Sequence, residues 1–163
     1  MLRIDLRDLQ RGTVPTTGRI EPGDAALEGL DLVLDGPVTV DGQLQASGDD
    51  EYLWRGHVHA GIIGECRRCL TEVRHTIDTG VDVLFSTDPD AADDPSVYVI
   101  EDPASHIDVA EAVREELALA APKFLLCRDD CAGLCPKCGA DLNAGPCACA
   151  EPAEPVRGTH GGT

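Results

Sequence analysis

The cysteines are the residues of this chain whose type and spacing most clearly indicate chemistry. Six of the eight lie between Cys127 and Cys149 with the spacing C-x3-C-x3-C-x2-C-x8-C-x-C. The other two, Cys66 and Cys69, form a separate C-x-x-C far upstream. In a C-x-x-C turn the two sulfurs point towards one centre, and a glycine after the second cysteine, as at Gly139, lets the backbone fold back. The pattern predicts metal binding.

Zinc is the expected ion, because structural zinc sites are tetrahedral and built from four nitrogen or sulfur ligands. Eight cysteines supply two such sites, or one site with spare thiols. The first hypothesis makes one site from Cys135, Cys138, Cys147 and Cys149, and another from Cys66, Cys69, Cys127 and Cys131. An alternative joins Cys127 and Cys131 to Cys135 and Cys138, which leaves Cys66 and Cys69 free. Since four thiolates fill the coordination shell, the expected zinc is structural rather than catalytic.

A disulfide framework is the competing interpretation of the cysteines, and it needs an oxidising compartment. Arginines and acids alternate through residues 1–20, and the chain has no long apolar run. We therefore expect neither a signal peptide nor a membrane span, and we predict a cytoplasmic protein whose thiols stay reduced.

The formal net charge of the 163-residue chain is −17. A charge of this size repels bulk nucleic acid and attracts basic partners. Solubility alone also explains it. The length predicts one domain with an appendage, and with few aromatic residues the core must consist of Leu, Val, Ile and Ala.

No catalytic constellation appears in the sequence. A nucleophile elbow, a phosphate-binding loop and an H-E-x-x-H motif are all absent. His57 and His59 lie two apart on one predicted strand, the spacing of a metal-binding pair, but such histidines are more often ordinary surface residues. We expect a protein that is not an enzyme and has no small-molecule substrate.

Alternating apolar and polar residues predict an antiparallel β-meander, or a partly closed barrel, over most of the chain. The expected strands are residues 1–9, 17–20, 30–40, 52–63, 73–85 and 97–100. Asp35-Gly36 predicts a turn between two apolar runs. Asp41-Gly42 predicts an interruption of the next strand, which then continues to Ala46. Residues 86–96 form a polar, acidic loop.

One main helix is expected near residues 108–121. Asp108 is a good N-cap with Glu111 three residues later, apolar residues recur every fourth position, and Pro122 ends the pattern. The fold class is therefore α+β. We divide the chain into a β-rich body with a packing helix (1–126), a cysteine-rich zinc segment (127–150) and a disordered tail (151–163).

Three stretches resemble the YceD family, the large ribosomal RNA subunit accumulation proteins. They are the corner Cys66-Arg67-Arg68-Cys69-Leu70, the helix sequence IDVAEAVREEL at 107–117, and Leu126–Cys149 with its C-P-x-C-G-x-D-L-N core. The N-terminal IDLRDL agrees, so the resemblance extends over residues 1–149. It implies a non-enzymatic role in 23S ribosomal RNA accumulation or processing, and hence in large-subunit assembly.

The partners that this resemblance implies are ribosomal RNA or a pre-ribosomal large subunit, and a basic large-subunit ribosomal protein is a further candidate. Six basic residues lie next to the cysteines and form a hypothetical RNA-contacting patch: Arg67, Arg68, Arg74, Lys123, Arg128 and Lys137. Alternatively, these charges merely balance thiolates and nearby acids. A rival function of another class is a zinc-handling or thiol-redox protein that uses its C-x-x-C pairs for exchange.

Overall fold

The computed structural model describes residues 2–101 and 103–149. This part of the chain contains eight strands and one α-helix: β1 (Arg3–Asp5), β2 (Val14–Ile20), β3 (Val33–Leu34), β4 (Val38–Ala46), β5 (Glu51–Glu65), β6 (Glu72–Ser86), β7 (Val97–Val99), β8 (His106–Asp108) and α1 (Ala110–Ala120). Short 3-10 helices occur at Leu6–Arg11, Ala25–Leu27, Pro89–Asp93 and Leu142–Ala144. The α+β class is confirmed. The predicted tail at 151–163 lies outside the described residues.

The main sheet has the strand order β2-β4-β5-β6-β7, with β3 also pairing β5. Its centre is the β5–β6 hairpin, whose register runs from Glu51↔Ser86 to Glu65↔Glu72. Neighbouring strands are antiparallel except β7, which runs parallel to β6. The sheet is open, and no closed barrel forms among the described residues. Strands β4, β5 and β6 form an antiparallel meander as expected, whereas the parallel strand β7 departs from that expectation.

The hydrophobic core lies between one face of this sheet and α1. Alternation in β5 places Trp54, Val58 and Ala60 in the core and leaves the residues between them more exposed. Val113 and Leu117 of α1 are fully buried as well. The other face of the sheet is polar, as expected of an antiparallel sheet with one solvated side.

The main helix is shorter than predicted and its cap differs. Asp108 is the last residue of β8, Val109 occupies the N-cap position, and the helix begins at Ala110. The Asp108 carboxylate still accepts a hydrogen bond from the Ala110 N–H at 3.0 Å. The predicted capping box between Asp108 and Glu111 is therefore wrong, because strand pairing holds Asp108 one residue before the cap.

The N-terminal strand is also shorter than predicted. Only Arg3–Asp5 is extended, and it pairs with β8 through Ile4↔Ile107 in a separate two-stranded sheet. A 3-10 helix then covers Leu6–Arg11, because the Asp5 carboxylate accepts the Arg7 N–H and turns the chain. Apolar alternation alone did not reveal this competing local hydrogen bond.

The predictions for both Asp-Gly pairs are wrong: Asp35-Gly36 does not reverse the chain, and Asp41-Gly42 does not interrupt a strand. β3 and β4 both run antiparallel to β5, and Asp35-Gly36 forms a bulge between them, with the Asp35 N–H donating to the Gly61 carbonyl at 2.8 Å. Gly42 lies within the continuous strand β4. A Cβ there would lie 2.5 Å from the Arg55 carbonyl oxygen and 2.8 Å from the Gly56 Cα, so the missing side chain lets the β5 backbone approach β4 closely.

The acidic loop at 86–96 contains a short 3-10 helix that begins where the Asp88 carboxylate accepts the Asp90 N–H. Strand β7 follows, as predicted for residues 97–100. In the part of the chain that the structure describes, no helix is both long and apolar enough to cross a membrane.

Candidate metal centre

The first cluster joins the β5–β6 corner to the segment after α1. Its members are Cys66 and Cys69 from the corner, and Cys127 and Cys131 from the later segment. The Cys66 and Cys131 sulfurs are 3.8 Å apart, and those of Cys69 and Cys127 are 3.6 Å apart. The fold thus brings together two pairs of thiols that are distant in sequence.

The second cluster is local in sequence. It comprises Cys135, Cys138, Cys147 and Cys149. In each cluster the four sulfurs lie within 4.8 Å of one another. The structure therefore groups the cysteines as in the first hypothesis, rather than joining Cys127 and Cys131 to Cys135 and Cys138.

The sulfur spacing fits a tetrahedral ion. With a zinc–sulfur bond of about 2.3 Å, tetrahedral geometry separates the sulfurs by about 3.8 Å. A disulfide requires about 2.05 Å, and all eight cysteines are free thiols. The clusters can hold metal ions, and the four-thiolate donor set is the one that structural zinc prefers.

A tight turn shapes the C-x-x-C of the second cluster. The Cys135 N–H donates to the Ala140 carbonyl, and the Gly139 N–H donates to the Cys135 carbonyl, both at 2.8 Å. Gly139 has φ of 72°, in the left-handed region that glycine adopts without strain. This turn aims the Cys135 and Cys138 sulfurs at one point.

The first cluster repeats this turn with one difference. The Cys66 N–H donates to the Thr71 carbonyl and the Leu70 N–H to the Cys66 carbonyl, again at 2.8 Å. Leu70 occupies the position of Gly139, with φ of 60°, and it is the one non-glycine residue with positive φ among the described residues. The sequences thus encode two similar C-x-x-C turns, one of which contains a strained leucine.

Hydrogen bonds to sulfur favour thiolates in the first cluster. The Cys127 N–H donates to the Cys66 sulfur and lowers the pKa of Cys66 to about 6. The Asn143 side-chain amide donates to Cys131 at 3.5 Å and lowers the Cys131 pKa. Neighbouring sulfurs of Cys131 and Cys69 raise the pKa of Cys127 to about 12.

In the second cluster, too, N–H groups lower the pKa of one thiol and a neighbouring sulfur raises the pKa of another, but fewer N–H groups donate to sulfur. The N–H groups of Cys138 and Lys137 lower the pKa of Cys135 to about 7. The adjacent Cys135 sulfur raises the pKa of Cys147. Cys135 is buried, whereas Cys138 is exposed. In the first cluster three of the four cysteines are buried and only Cys127 is exposed.

Arg68 connects the corner to the segment that carries the later cysteines. Its guanidinium donates to the Asp129 carbonyl at 3.1 Å and to the Cys131 carbonyl at 2.9 Å. The Arg68 carbonyl accepts the Leu134 N–H at 3.1 Å. One residue between Cys66 and Cys69 thereby helps to fix the position of the other half of the first cluster.

Asn143 is a residue of this centre whose role sequence reasoning missed. Its side-chain oxygen accepts from the Arg128 guanidinium at 2.7 Å and from the Ala132 N–H at 2.8 Å. Its amide donates to the Cys131 sulfur, so it links the second cysteine stretch to the first cluster. The available signal was the D-L-N sequence at 141–143, which follows the second C-x-x-C turn closely.

Contacts within the chain hold several basic residues of the hypothetical patch, among them Arg67, Arg68, Arg74 and Arg128. Arg67 stacks over the Phe124 ring, with 3.8 Å between its guanidinium carbon and the ring centroid. Arg68 donates to the Asp129 and Cys131 carbonyls. Arg74 pairs with Asp35 and Glu72, away from the sulfurs. Arg128 pairs with Asp130 at 3.3 Å in addition to Asn143.

Two further basic residues of the patch are exposed to solvent. Lys123 lies between α1 and the first cluster, and Lys137 lies within the second C-x-x-C turn. Arg74 and Arg128 thus pair with carboxylates, and Arg68 donates to backbone carbonyls. Contact with RNA stays a prediction.

His57 and His59 lie together on the polar face of the sheet, next to Asp78 of β6. His57 pairs with the Asp78 carboxylate, and the His59 ring nitrogen lies 3.3 Å from its other oxygen. The two histidines lower the pKa of Asp78. Within the described residues, the groups whose geometry suits a metal ion are the two cysteine clusters.

Comparison with known proteins gives a family for this chain. The family model described as Large ribosomal RNA subunit accumulation protein YceD matches residues 54–157. An uncharacterized protein of Mycobacterium bovis is 34% identical over 125 residues, which cover 72% of this chain and 59% of that protein. One of Mycobacterium leprae is 31% identical over 142 residues, covering 82% of this chain and 60% of that protein. The chain thus spans about 60% of the length of these curated relatives. No solved structure shows significant similarity.

Proposed function

Because the chain belongs to the YceD family of large ribosomal RNA subunit accumulation proteins, we propose that it is a non-enzymatic factor in large-subunit biogenesis that supports 23S rRNA accumulation or processing. The family match carries this proposal, since it extends over residues 54–157 and includes both cysteine clusters. The fold adds a rigid sheet and two candidate metal centres. Two four-thiolate centres that leave no open coordination position support a binding role.

Zn²⁺ is the proposed cofactor of both clusters, in a structural role. Cys66, Cys69, Cys127 and Cys131 would hold one ion, and Cys135, Cys138, Cys147 and Cys149 the other. Four thiolates leave no open coordination position for substrate. Bound zinc would supply a cross-link between the β5–β6 corner and the later segment.

The proposed partners are ribosomal RNA or a pre-ribosomal large subunit, with a basic large-subunit ribosomal protein as a further candidate. The net charge of −17 supports the protein partner, because it favours association with a basic surface. Exposed cations near the clusters, such as Lys123 and Lys137, support local contact with RNA. This function places the protein in the cytoplasm, without a membrane or small-molecule partner.

A depletion experiment tests the proposed function. Cells depleted of the protein should lose mature 23S rRNA relative to 16S rRNA and accumulate incomplete large subunits in sucrose gradients. The intact chain should restore both, and the variant Cys66→Ser/Cys69→Ser should not. An unchanged 23S to 16S ratio on depletion would contradict the proposal.

Zinc handling or thiol exchange is the second candidate, and the exposure of Cys127 and Cys138 favours it. A protein with this function should lose zinc rapidly to a chelator and react quickly with a thiol reagent. A structural centre should do neither. Elemental analysis combined with thiol titration of the purified chain separates the two functions.

A further inference from the structure

A groove of about 480 Å³ lies beside the first cluster, between the β3–β5 pairing and the segment after α1. Three large apolar side chains that line it are exposed to solvent: Val33 (66%), Leu70 (58%) and Phe124 (59%). The other exposed large apolar side chains of the described residues are Val99 and Leu119, which lie elsewhere. Exposed apolar surface is therefore concentrated in this groove.

Leu70 is the most informative of the three. Its φ of 60° is unfavourable for a residue with a Cβ, and the equivalent position of the second C-x-x-C turn is Gly139. Because most of the Leu70 side chain is exposed, packing within the described residues does not offset the strain. The hydrogen bonds of the C-x-x-C turn hold the Leu70 backbone in this conformation, and the side chain is thereby kept at the groove, exposed to solvent.

The shape and charge of the groove favour a protein over a nucleobase. One face of the Phe124 ring is already covered by the Arg67 guanidinium, which limits base stacking there. Val33 and Leu70 are aliphatic and offer no flat surface. Asp31 and Glu65 also line the groove, so its cations do not produce the positive surface that phosphates require.

We propose that this groove binds a large apolar side chain carried on a Lys/Arg-rich segment of a partner protein. The apolar walls hold the anchor side chain, and the net charge of −17 attracts the basic residues around it. This inference deepens the proposed function, on which it rests, by assigning the partner to the basic proteins of the large subunit rather than to its RNA.

Photo-crosslinking of the full, zinc-supplied chain tests the occupant. A benzophenone amino acid is placed at position 70 and, as a control, at position 119, where Leu119 is 82% exposed on α1. The probes are proteins extracted from purified large subunits and, separately, deproteinised 23S rRNA. We expect position 70 to crosslink to an apolar residue within a basic peptide and position 119 to give no such product. Crosslinks at position 70 to rRNA only, to a second copy of this chain or to nothing would overturn the proposal.

The substitution Leu70→Gly separates binding from folding. It removes both the strain and the apolar contact. The variant should therefore keep or raise its melting temperature while its affinity for the crosslinked ribosomal protein falls about tenfold. Leu119→Ala is the matched control and should bind as the wild type does. Equal affinity of Leu70→Gly and wild type, or a marked loss of stability in Leu70→Gly, would show that the leucine serves only the fold.

Cellular complementation distinguishes failure of this inference from failure of the proposed function. If depletion lowers 23S rRNA but the Leu70→Gly chain restores it fully and position 70 gives no crosslink, the groove inference fails alone. If the position-70 crosslink forms but depletion leaves 23S rRNA unchanged, the ribosomal role fails and the groove remains a protein-binding site.

Discussion

Gly133 and Gly139 both have left-handed backbone, with φ of 75° and 72°, but their surroundings differ. A Cβ on Gly133 would lie 3.0 Å from the Arg68 carbonyl oxygen, whereas one on Gly139 would meet nothing within 4 Å. Gly133 therefore permits the close approach of two backbones, and Gly139 only permits a turn. The contact at Gly133 is one of those that hold the corner and the later cysteine segment together.

This contrast gives a matched pair of variants. Gly139→Ala should lower the free energy of unfolding by about 1 kcal/mol, because it adds only left-handed strain. Gly133→Ala should lower the free energy of unfolding by about 1 kcal/mol more than Gly139→Ala does. Its Cβ would meet the Arg68 carbonyl, which belongs to the backbone and cannot easily move. Urea unfolding of zinc-loaded protein measures both. Equal effects would mean that the two segments do not approach as closely as described.

Asn143 combines two functions that substitution can separate. Asn143→Ala removes the donor to Cys131 and the acceptor for Arg128, and should destabilise the protein by about 2 kcal/mol. Asn143→Asp keeps the acceptor but replaces the donor to sulfur with a negative charge. We expect Asn143→Asp to weaken zinc binding the more strongly of the two, as measured by chelator competition. A similar zinc affinity in both variants would argue against the amide–sulfur bond.

At the scale of elements, strand pairing of β4 and β5 depends on two small residues. Gly42 and Gly56 face each other, and the Trp54 indole covers both while donating to the Thr16 hydroxyl at 2.9 Å. A Cβ on Gly56 would lie 2.3 Å from the indole ring. The largest core side chain thus requires glycine at this point of the sheet.

Gly56→Ala should displace the indole and destabilise the protein by about 3 kcal/mol, because overpacking forces the ring from its position. Gly80→Ala on β6 is the control, since its nearest neighbours would be 3.9 Å away, and it should change stability by less than about 0.5 kcal/mol. Trp54 is the single tryptophan, so its fluorescence reports the displacement directly. An unshifted emission maximum in Gly56→Ala would refute this account of the core.

Sequence periodicity predicted those elements whose buried face is continuous. The alternation around Trp54, Val58 and Ala60 identified β5, and the four-residue repeat identified α1. Periodicity failed where a long-range contact overrides a local preference. Asp-Gly at 41–42 was expected to interrupt the strand, yet it is extended, because pairing with β5 continues through Gly42↔Gly56 and the β5 backbone approaches Gly42 closely.

At the scale of the whole molecule, the two clusters differ in their resistance to acid. Protons compete with metal for thiolates, so a ligand with a lower pKa keeps its metal to a lower pH. Each cluster has one thiol with a raised pKa, Cys127 in the first and Cys147 in the second. The first cluster has two thiols with a lowered pKa, Cys66 (about 6) and Cys131, whereas the second has one, Cys135 (about 7). The second cluster also has more exposed sulfurs.

Acidification should therefore release zinc in two steps, first from the second cluster and then from the first. A colorimetric zinc indicator followed during a downward pH titration measures the steps. The variant Cys135→Ser/Cys138→Ser should lack the step at higher pH and keep the other. If this variant instead loses the step at lower pH, the assigned order is reversed.

The spacing of the cysteines predicted which residue types form the centre, but not the details that make it specific. Local C-x-x-C turns were visible because their geometry is set by neighbouring residues. The amide of Asn143, the strained Leu70 and the groove beside it arise from packing of the corner against a segment far along the chain. No local pattern in the sequence records such packing.

The first cluster also constrains the order in which parts of the chain can fold during synthesis. Cys69 and Cys127 are 58 residues apart, so a ribosome adding about 5–20 residues per second makes the second thiol about 3–12 s after the first. During this interval the β5–β6 hairpin can form, but its corner presents two thiols without partners. The corner can be closed only after α1 and the segment that carries Cys127 and Cys131 have emerged, so this centre is completed later than the hairpin that supplies its first two thiols.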